Sequence, residues 1–188
     1  MDKVPQGIPA YTTPLKLDKA LAIPGWMSLP EICWLAKSAT EHSRILEIGS
    51  YLGRSTRALA DNTPGVVLAL DDWQGPRDAE HEDNLFAKFT ENMQGANYAA
   101  YVVNHADGIY MLEGQKVFDM IFLDGSHEYE DVKRDIEKWL PCLMPGGLIC
   151  GHDYSNEYPT VKRAVTEIFK ECGIYGTIWY VDYGAKRA

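Results

Sequence analysis

Four acids, Glu47, Asp71, Asp124 and Asp153, each fall at or just beyond the end of a short apolar run that reads as a β-strand. In open parallel sheets ligands bind beyond the carboxyl ends of the strands, so this placement marks one edge as a site. Two of the acids come with a histidine, in Asp124-Gly125-Ser126-His127 and Gly151-His152-Asp153-Tyr154. Carboxylates at adjacent strand ends repel unless a cation or a proton lies between them. Asp124 and Asp153 are therefore expected to hold a divalent ion such as Mg²⁺, with His152 completing the set. Imidazole suits Zn²⁺, Mn²⁺ or Fe²⁺ better than Mg²⁺. The competing reading is a strand-end acid that caps the next helix beside a solvated neighbour. His127 stands at the entrance to a helix, whose N-terminus favours the neutral imidazole that a general base needs. Against that stands an ordinary surface histidine in a first helical turn.

The stretch Ile45-Leu46-Glu47-Ile48-Gly49-Ser50-Tyr51-Leu52-Gly53-Arg54-Ser55-Thr56 organises the rest. An apolar run carries an acid near its end, and a second glycine opens a helix. Glycines are wanted where backbone passes close to a ligand. The dinucleotide fingerprint asks for G-x-G-x-x-G, but Tyr51 stands at its second glycine, leaving G-x-x-x-G. An acid at this strand end suits a cationic amino acid better than a pyrophosphate. Asp71 lies 24 residues past Glu47, where a carboxylate can accept hydrogen bonds from both ribose hydroxyls of a nucleoside. Asp72 competes for that role.

These residues need a frame to hold them. Ser28-Leu29-Pro30-Glu31 reads as a capping box that starts a helix to about Ala39. Trp26 before it is a hydrophobic staple or a lid over a ligand. Strands are expected at 45–48, 66–70, 101–104, 118–123, 148–150 and 177–183, with helices at 54–61, 83–93, 159–172 and from a cap at Ser126. A short helix or turn is expected at 108–112, and Pro145-Gly146-Gly147 is expected to be a turn. Alternating strands and helices mean a doubly wound, mostly parallel α/β sheet of about six or seven strands. Residues 1–25, with four prolines, read as an arm, and 26–188 as a single domain.

Hydrophobic residues make up 46% of the 188 positions and charged ones 24%, as in ordinary globular proteins. The net charge of −9 and the lack of Lys/Arg clusters argue against nucleic acid. No apolar run approaches the roughly 20 residues of a membrane span, and the N-terminus lacks a signal-peptide pattern. Cys33, Cys142, Cys150 and Cys172 show no C-x-x-C spacing. A reducing, cytoplasmic location is expected.

Glu47–Thr56, with its acid-x-Gly-x-x-x-Gly pattern, resembles motif I of the Rossmann-like (class I) S-adenosylmethionine-dependent methyltransferases. Asp71-Asp72-Trp73-Gln74-Gly75, Asp124–His127 and Pro145–Tyr154 narrow the likeness to a branch holding macrocin-type sugar O-methyltransferases and cephalosporin-hydroxylase-like proteins. The resemblance spans roughly residues 25–183. It implies a seven-stranded sheet with S-adenosyl-L-methionine held at the ends of strands one to three, by Glu47, Gly49, Ser50, Gly53, Ser55, Asp71, Asp72, Trp73, Asp107, Asp124 and His127. It further implies a divalent metal, Mg²⁺ or Mn²⁺, on Asp124, His152 and Asp153, with His127 as the base that deprotonates a small-molecule hydroxyl. Aromatics suit a sugar or a phenol as acceptor. Family habit implies a homo-oligomer. Two departures stand out: relatives often carry an acid or Asn at the place of His152, and the segment after residue 172 points to a truncated C-terminal edge. The alternatives are a metal-independent transferase using His127 alone, a non-catalytic binder of an adenosine cofactor, and a nicotinamide-dependent oxidoreductase, which Tyr51 disfavours.

Overall fold

Apolar runs separated by amphipathic helices line up as one seven-stranded sheet in the computed structural model, which describes residues 14–75, 83–103 and 115–184. The strands are β1 (Arg44–Ile48), β2 (Val66–Asp71), β3 (Tyr98–Val102), β4 (Phe118–Leu123), β5 (Leu143–Gly151), β6 (Gly173–Tyr175) and β7 (Ile178–Asp182). Their order is β3-β2-β1-β4-β5-β7-β6, parallel from β3 to β5, with β7 antiparallel to both of its neighbours. The chain winds outward from β1 to β3 and then returns to place β4 beside β1. Such a reversal opens a crevice above the strand ends, because the adjoining loops leave in opposite directions.

Strand residues alternate between two cores, as the two-residue period requires. Ile45 and Phe122 face one core with Ile32 and Leu35 of α2 (Leu29–Ala39) and Leu59 of α3 (Arg54–Asn62). Leu46 and Ile149 face the other, with Ile136 and Trp139 of α5 (Tyr129–Trp139) and Val165 of α6 (Pro159–Phe169). Two shorter helices are α1 (Asp18–Ala22), inside the expected arm, and α4 (Leu85–Asn92). The Ser28/Glu31 capping box at the head of α2 is present as expected. Among the described residues no helix is long and apolar enough to cross a membrane.

Several boundaries differ from the sequence expectation. β3 begins at Tyr98 rather than Tyr101, because Val67–Asp71 of β2 pairs with Tyr98–Val102, and two alanines in mid-strand mute the apolar signal. Pro145-Gly146-Gly147 does not end a turn but lies inside β5, where the register against β4 slips between Phe118 and Met120. Ser126 is not the cap of α5, which starts at Tyr129; its hydroxyl instead accepts the Glu128 N–H and donates to Asp131. The C-terminal edge is not truncated: the stub around Ile174 is β6, and a two-residue turn, Gly176-Thr177, joins it to β7. The expected helix at 108–112 lies outside the described residues.

Candidate active site

A cavity of about 620 Å³ opens over the β1/β4 reversal, within the range of small-molecule sites. A very close backbone approach lies at its floor. Gly49 has φ +84°, and a Cβ there would sit 2.1 Å from the Asp124 carbonyl oxygen. Only glycine lets the β1 and β4 ends meet this closely. Gly53, with φ +92°, is the N-cap of α3.

On one side the β1–α3 loop is tied to β2 through Asp71. Its Oδ2 accepts the N–H groups of Ser50 (2.6 Å) and Tyr51 (2.8 Å), and its Oδ1 accepts that of Trp73 (2.6 Å). Trp73 Nε1–H donates back to the Tyr51 carbonyl at 2.9 Å. Glu47 is fully buried beneath this loop and does not line the cavity. It accepts hydrogen bonds from the Ser50 hydroxyl (2.8 Å) and the Thr56 hydroxyl. Burial outweighs these bonds and pushes the Glu47 carboxyl up to about 7.

On the other side the ends of β4 and β5 bring Asp124, His152 and Asp153 together, with their donor atoms all within 4.8 Å of one another. Nδ1 of His152 lies 3.1 Å from Asp153 Oδ1 and 3.6 Å from Asp124 Oδ1. Adjacent ligands of an ion bonded at ~2.1 Å stand ~3 Å apart, so the three residues could hold a divalent metal once their side chains draw closer together. Asp153 has φ +63°, an unusual conformation for a side-chain-bearing residue and one that turns its carboxylate into the cavity edge. His127 Nε2 lies 2.9 Å from Asp153 Oδ2, and its ring packs on Tyr158 at 4.1 Å.

Electrostatics divide this cluster. Burial pushes the Asp124 carboxyl up against the pull of His152. Asp153 is also desolvated, yet hydrogen bonds from His127 and His152 hold it well below the usual carboxylate range. Burial alone would lower the His152 imidazole, but its bonds to Asp124 and Asp153 push it up to about 11.

Eight of the residues expected around a cofactor line the cavity: Gly49, Ser50, Ser55, Asp71, Asp72, Trp73, Asp124 and His127. So do all three expected metal ligands. Glu47 and Gly53 stand behind the loop, and Asp107 lies outside the described residues. Sequence reasoning missed Glu31 and Thr177, which also line the cavity. Glu31 had been accounted for by its helix cap, and Thr177 carried no signal at all. Trp26, 70% exposed, packs at a tilt against Tyr51 at the rim, so the lid position rather than a buried staple describes it.

Comparison with known proteins finds the same fold. Solved structures with the same fold include cofactor-bound Rv0187 from MTB (TM-score 0.67, 19% identity, 90% of this chain and 88% of that one). An O-methyltransferase from Bacillus cereus in complex with SAH follows (0.62, 20%, 87% and 86%). So does the O-methyltransferase TomG from Streptomyces achromogenes in complex with SAM (0.64, 18%, 85% and 82%). In sequence, the uncharacterized protein y4gI of Sinorhizobium fredii is 29% identical over 128 residues, 64% of this chain but only 14% of that protein's length. The family model described as "Methyltransferase domain" matches residues 46–154, more than half of the chain. The chain belongs to this methyltransferase-domain family.

Proposed function

We propose that the protein transfers a methyl group from S-adenosyl-L-methionine to a hydroxyl of a small molecule. One observation carries the choice of cofactor. The Ser50 and Tyr51 N–H groups, which a dinucleotide loop would aim at phosphates, are bound to the Asp71 carboxylate, and Asp72 stands beside it in the cavity wall. Two acids and occupied loop donors disfavour pyrophosphate and suit a cationic nucleoside. The SAM- and SAH-bound neighbours of the same fold agree with this reading.

The cofactor supplies an electrophilic methyl group, and a divalent ion on Asp124, His152 and Asp153 would supply positive charge that lowers the pKa of the acceptor hydroxyl. The chain's own residues do the rest. Gly49 and Ser50 set the approach of the cofactor to the β4 end. His127, paired through Nε2 with Asp153, takes the hydroxyl proton, and the Asp153 carboxylate stabilises the imidazolium that results. Trp26, Tyr51 and Tyr158 give the acceptor flat apolar faces at the rim, suited to a sugar or a phenol. Asp72, Glu31 and Glu157 in the same lining disfavour an anionic acceptor.

The deciding experiment is calorimetric titration with S-adenosyl-L-methionine and, separately, NAD. Binding of the first alone is expected. Absence of S-adenosyl-L-methionine binding to folded protein refutes the proposal. A second reading rests on His152: its Nδ1 lies 3.1 Å from Asp153 and 3.6 Å from Asp124, so a protonated ring there would be a cation in the place of the metal. Turnover that survives exhaustive chelation selects that reading.

A further inference from the structure

His152 is held from behind by two residues that lie far from it in sequence. Glu31 Oε1 accepts the Thr177 N–H (2.8 Å) and the Thr177 hydroxyl (2.8 Å). Glu31 Oε2 accepts the Ser28 N–H (2.9 Å) and the Ser28 hydroxyl (2.6 Å). Each carboxylate oxygen thus faces a backbone N–H, which can only donate, and a hydroxyl beside it. The Thr177 hydroxyl has one proton, and Glu31 takes it. Its oxygen also lies 2.9 Å from His152 Nε2. Having given up its proton to Glu31, that oxygen can only accept, so Nε2 must be the protonated nitrogen. The lone pair of a neutral His152 is then on Nδ1, the atom that faces Asp124 and Asp153.

The backbone is shaped for this contact. Gly176 has φ +60°, a conformation glycine adopts without strain, and a Cβ there would stand 2.7 Å from Glu31 Oε1, so glycine lets the β6–β7 turn seat on the carboxylate undisturbed. The Thr177 carbonyl accepts the Tyr154 N–H at 2.8 Å, which clamps the same turn to the strand end that carries His152 and Asp153.

We propose that Glu31 and Thr177 are positioning residues that fix the tautomer of His152, presenting Nδ1 as a metal ligand and adapting the site to a first-row transition ion such as Mn²⁺ or Zn²⁺ in preference to Mg²⁺. The helix-capping acid of α2 and the hairpin turn at the far edge of the sheet thereby act on a site to which neither contributes a ligand. A ligating imidazole with its other nitrogen hydrogen-bonded onward to a carboxylate is a more basic and better oriented donor. A nitrogen ligand in turn favours first-row transition ions over the all-oxygen preference of Mg²⁺. The inference rests on the metal-assisted reading above.

The test is calorimetry with Zn²⁺, Mn²⁺ and Mg²⁺ on the unsubstituted protein, Thr177→Val and Thr177→Ser, together with ¹⁵N NMR of the histidine rings in the Zn²⁺-loaded protein. Zn²⁺ and Mn²⁺ are expected to bind more tightly than Mg²⁺, with His152 bound through Nδ1 and protonated at Nε2. Thr177→Val, which keeps the side-chain shape, is expected to weaken Zn²⁺ binding by roughly 10–100-fold. Thr177→Ser, which keeps the hydroxyl, is expected to restore it. Ligation through Nε2, or unchanged affinity in Thr177→Val, overturns the relay while leaving the metal site standing. Failure of all three ions to bind the unsubstituted protein overturns the metal reading itself, and the relay with it.

Discussion

The two sides of the cavity are built on different principles. The β1–β2 side is made of backbone: Gly49 passes against Asp124, and Asp71 gathers three N–H groups from Ser50, Tyr51 and Trp73. The β4–β5 side is made of side chains, and its supports arrive from residues 146 positions apart, Glu31 and Thr177. A backbone-built site is rigid and tolerates little change in its glycines. A side-chain-built site is adjustable, because exchanging one donor alters the ion or the proton it holds without moving the sheet.

Substitutions can break this contrast in graded steps. Gly49→Ala is the most severe, since its Cβ meets a main-chain oxygen that cannot swing away. A loss on the order of 4 kcal/mol in unfolding free energy is expected, with cofactor binding lost alongside, measured by urea unfolding and calorimetry. His127→Ala should instead leave the fold and the affinity for S-adenosyl-L-methionine intact and lower kcat by roughly 10²–10⁴-fold. Equal damage to both affinity and kcat would mean that His127 belongs to the cofactor wall rather than to the acceptor side.

Glu47 sharpens the comparison through pH. Its carboxyl is raised from 4.5 to about 7 by burial, so between those values the native protein keeps a proton that the unfolded chain has released. Stability from this group is therefore full below pH 4.5, falls as pH rises through that window and has levelled off above about 7. The span is worth roughly 3 kcal/mol at most. Glu47→Gln should flatten that slope, read from urea unfolding at pH 5 and pH 8. An unchanged slope would place its source elsewhere.

Trp26→Ala is the mildest. The ring is mostly exposed, so stability should change by no more than about 0.5 kcal/mol, while the KM for the acceptor rises. If cofactor affinity falls instead, Trp26 covers the cofactor rather than the acceptor.

The glycine loop was legible because its requirement is local. A strand end, a positive φ at Gly49 and a helix start at Gly53 are demands that a few consecutive residues must satisfy. The strand-end acids were legible for a similar reason, since a parallel sheet delivers the ends of β1, β2, β4 and β5 to one edge whatever the details. Glu47 shows the limit of that reasoning. Its position at a strand end was correct, but the alternation of the strand turns its side chain into the protein beneath the loop, and only Asp71, Asp124 and Asp153 reach the cavity.

By itself the sequence determined the sheet, its winding and the edge where the chemistry sits, because hydrophobic period and glycine conformation act over short range. Tertiary structure alone decided which acids face the cavity and how His152 is oriented. Those outcomes depend on the packing of α2 and the β6–β7 turn against β5, where Glu31 and Thr177 meet His152 with no pattern in the chain to announce it.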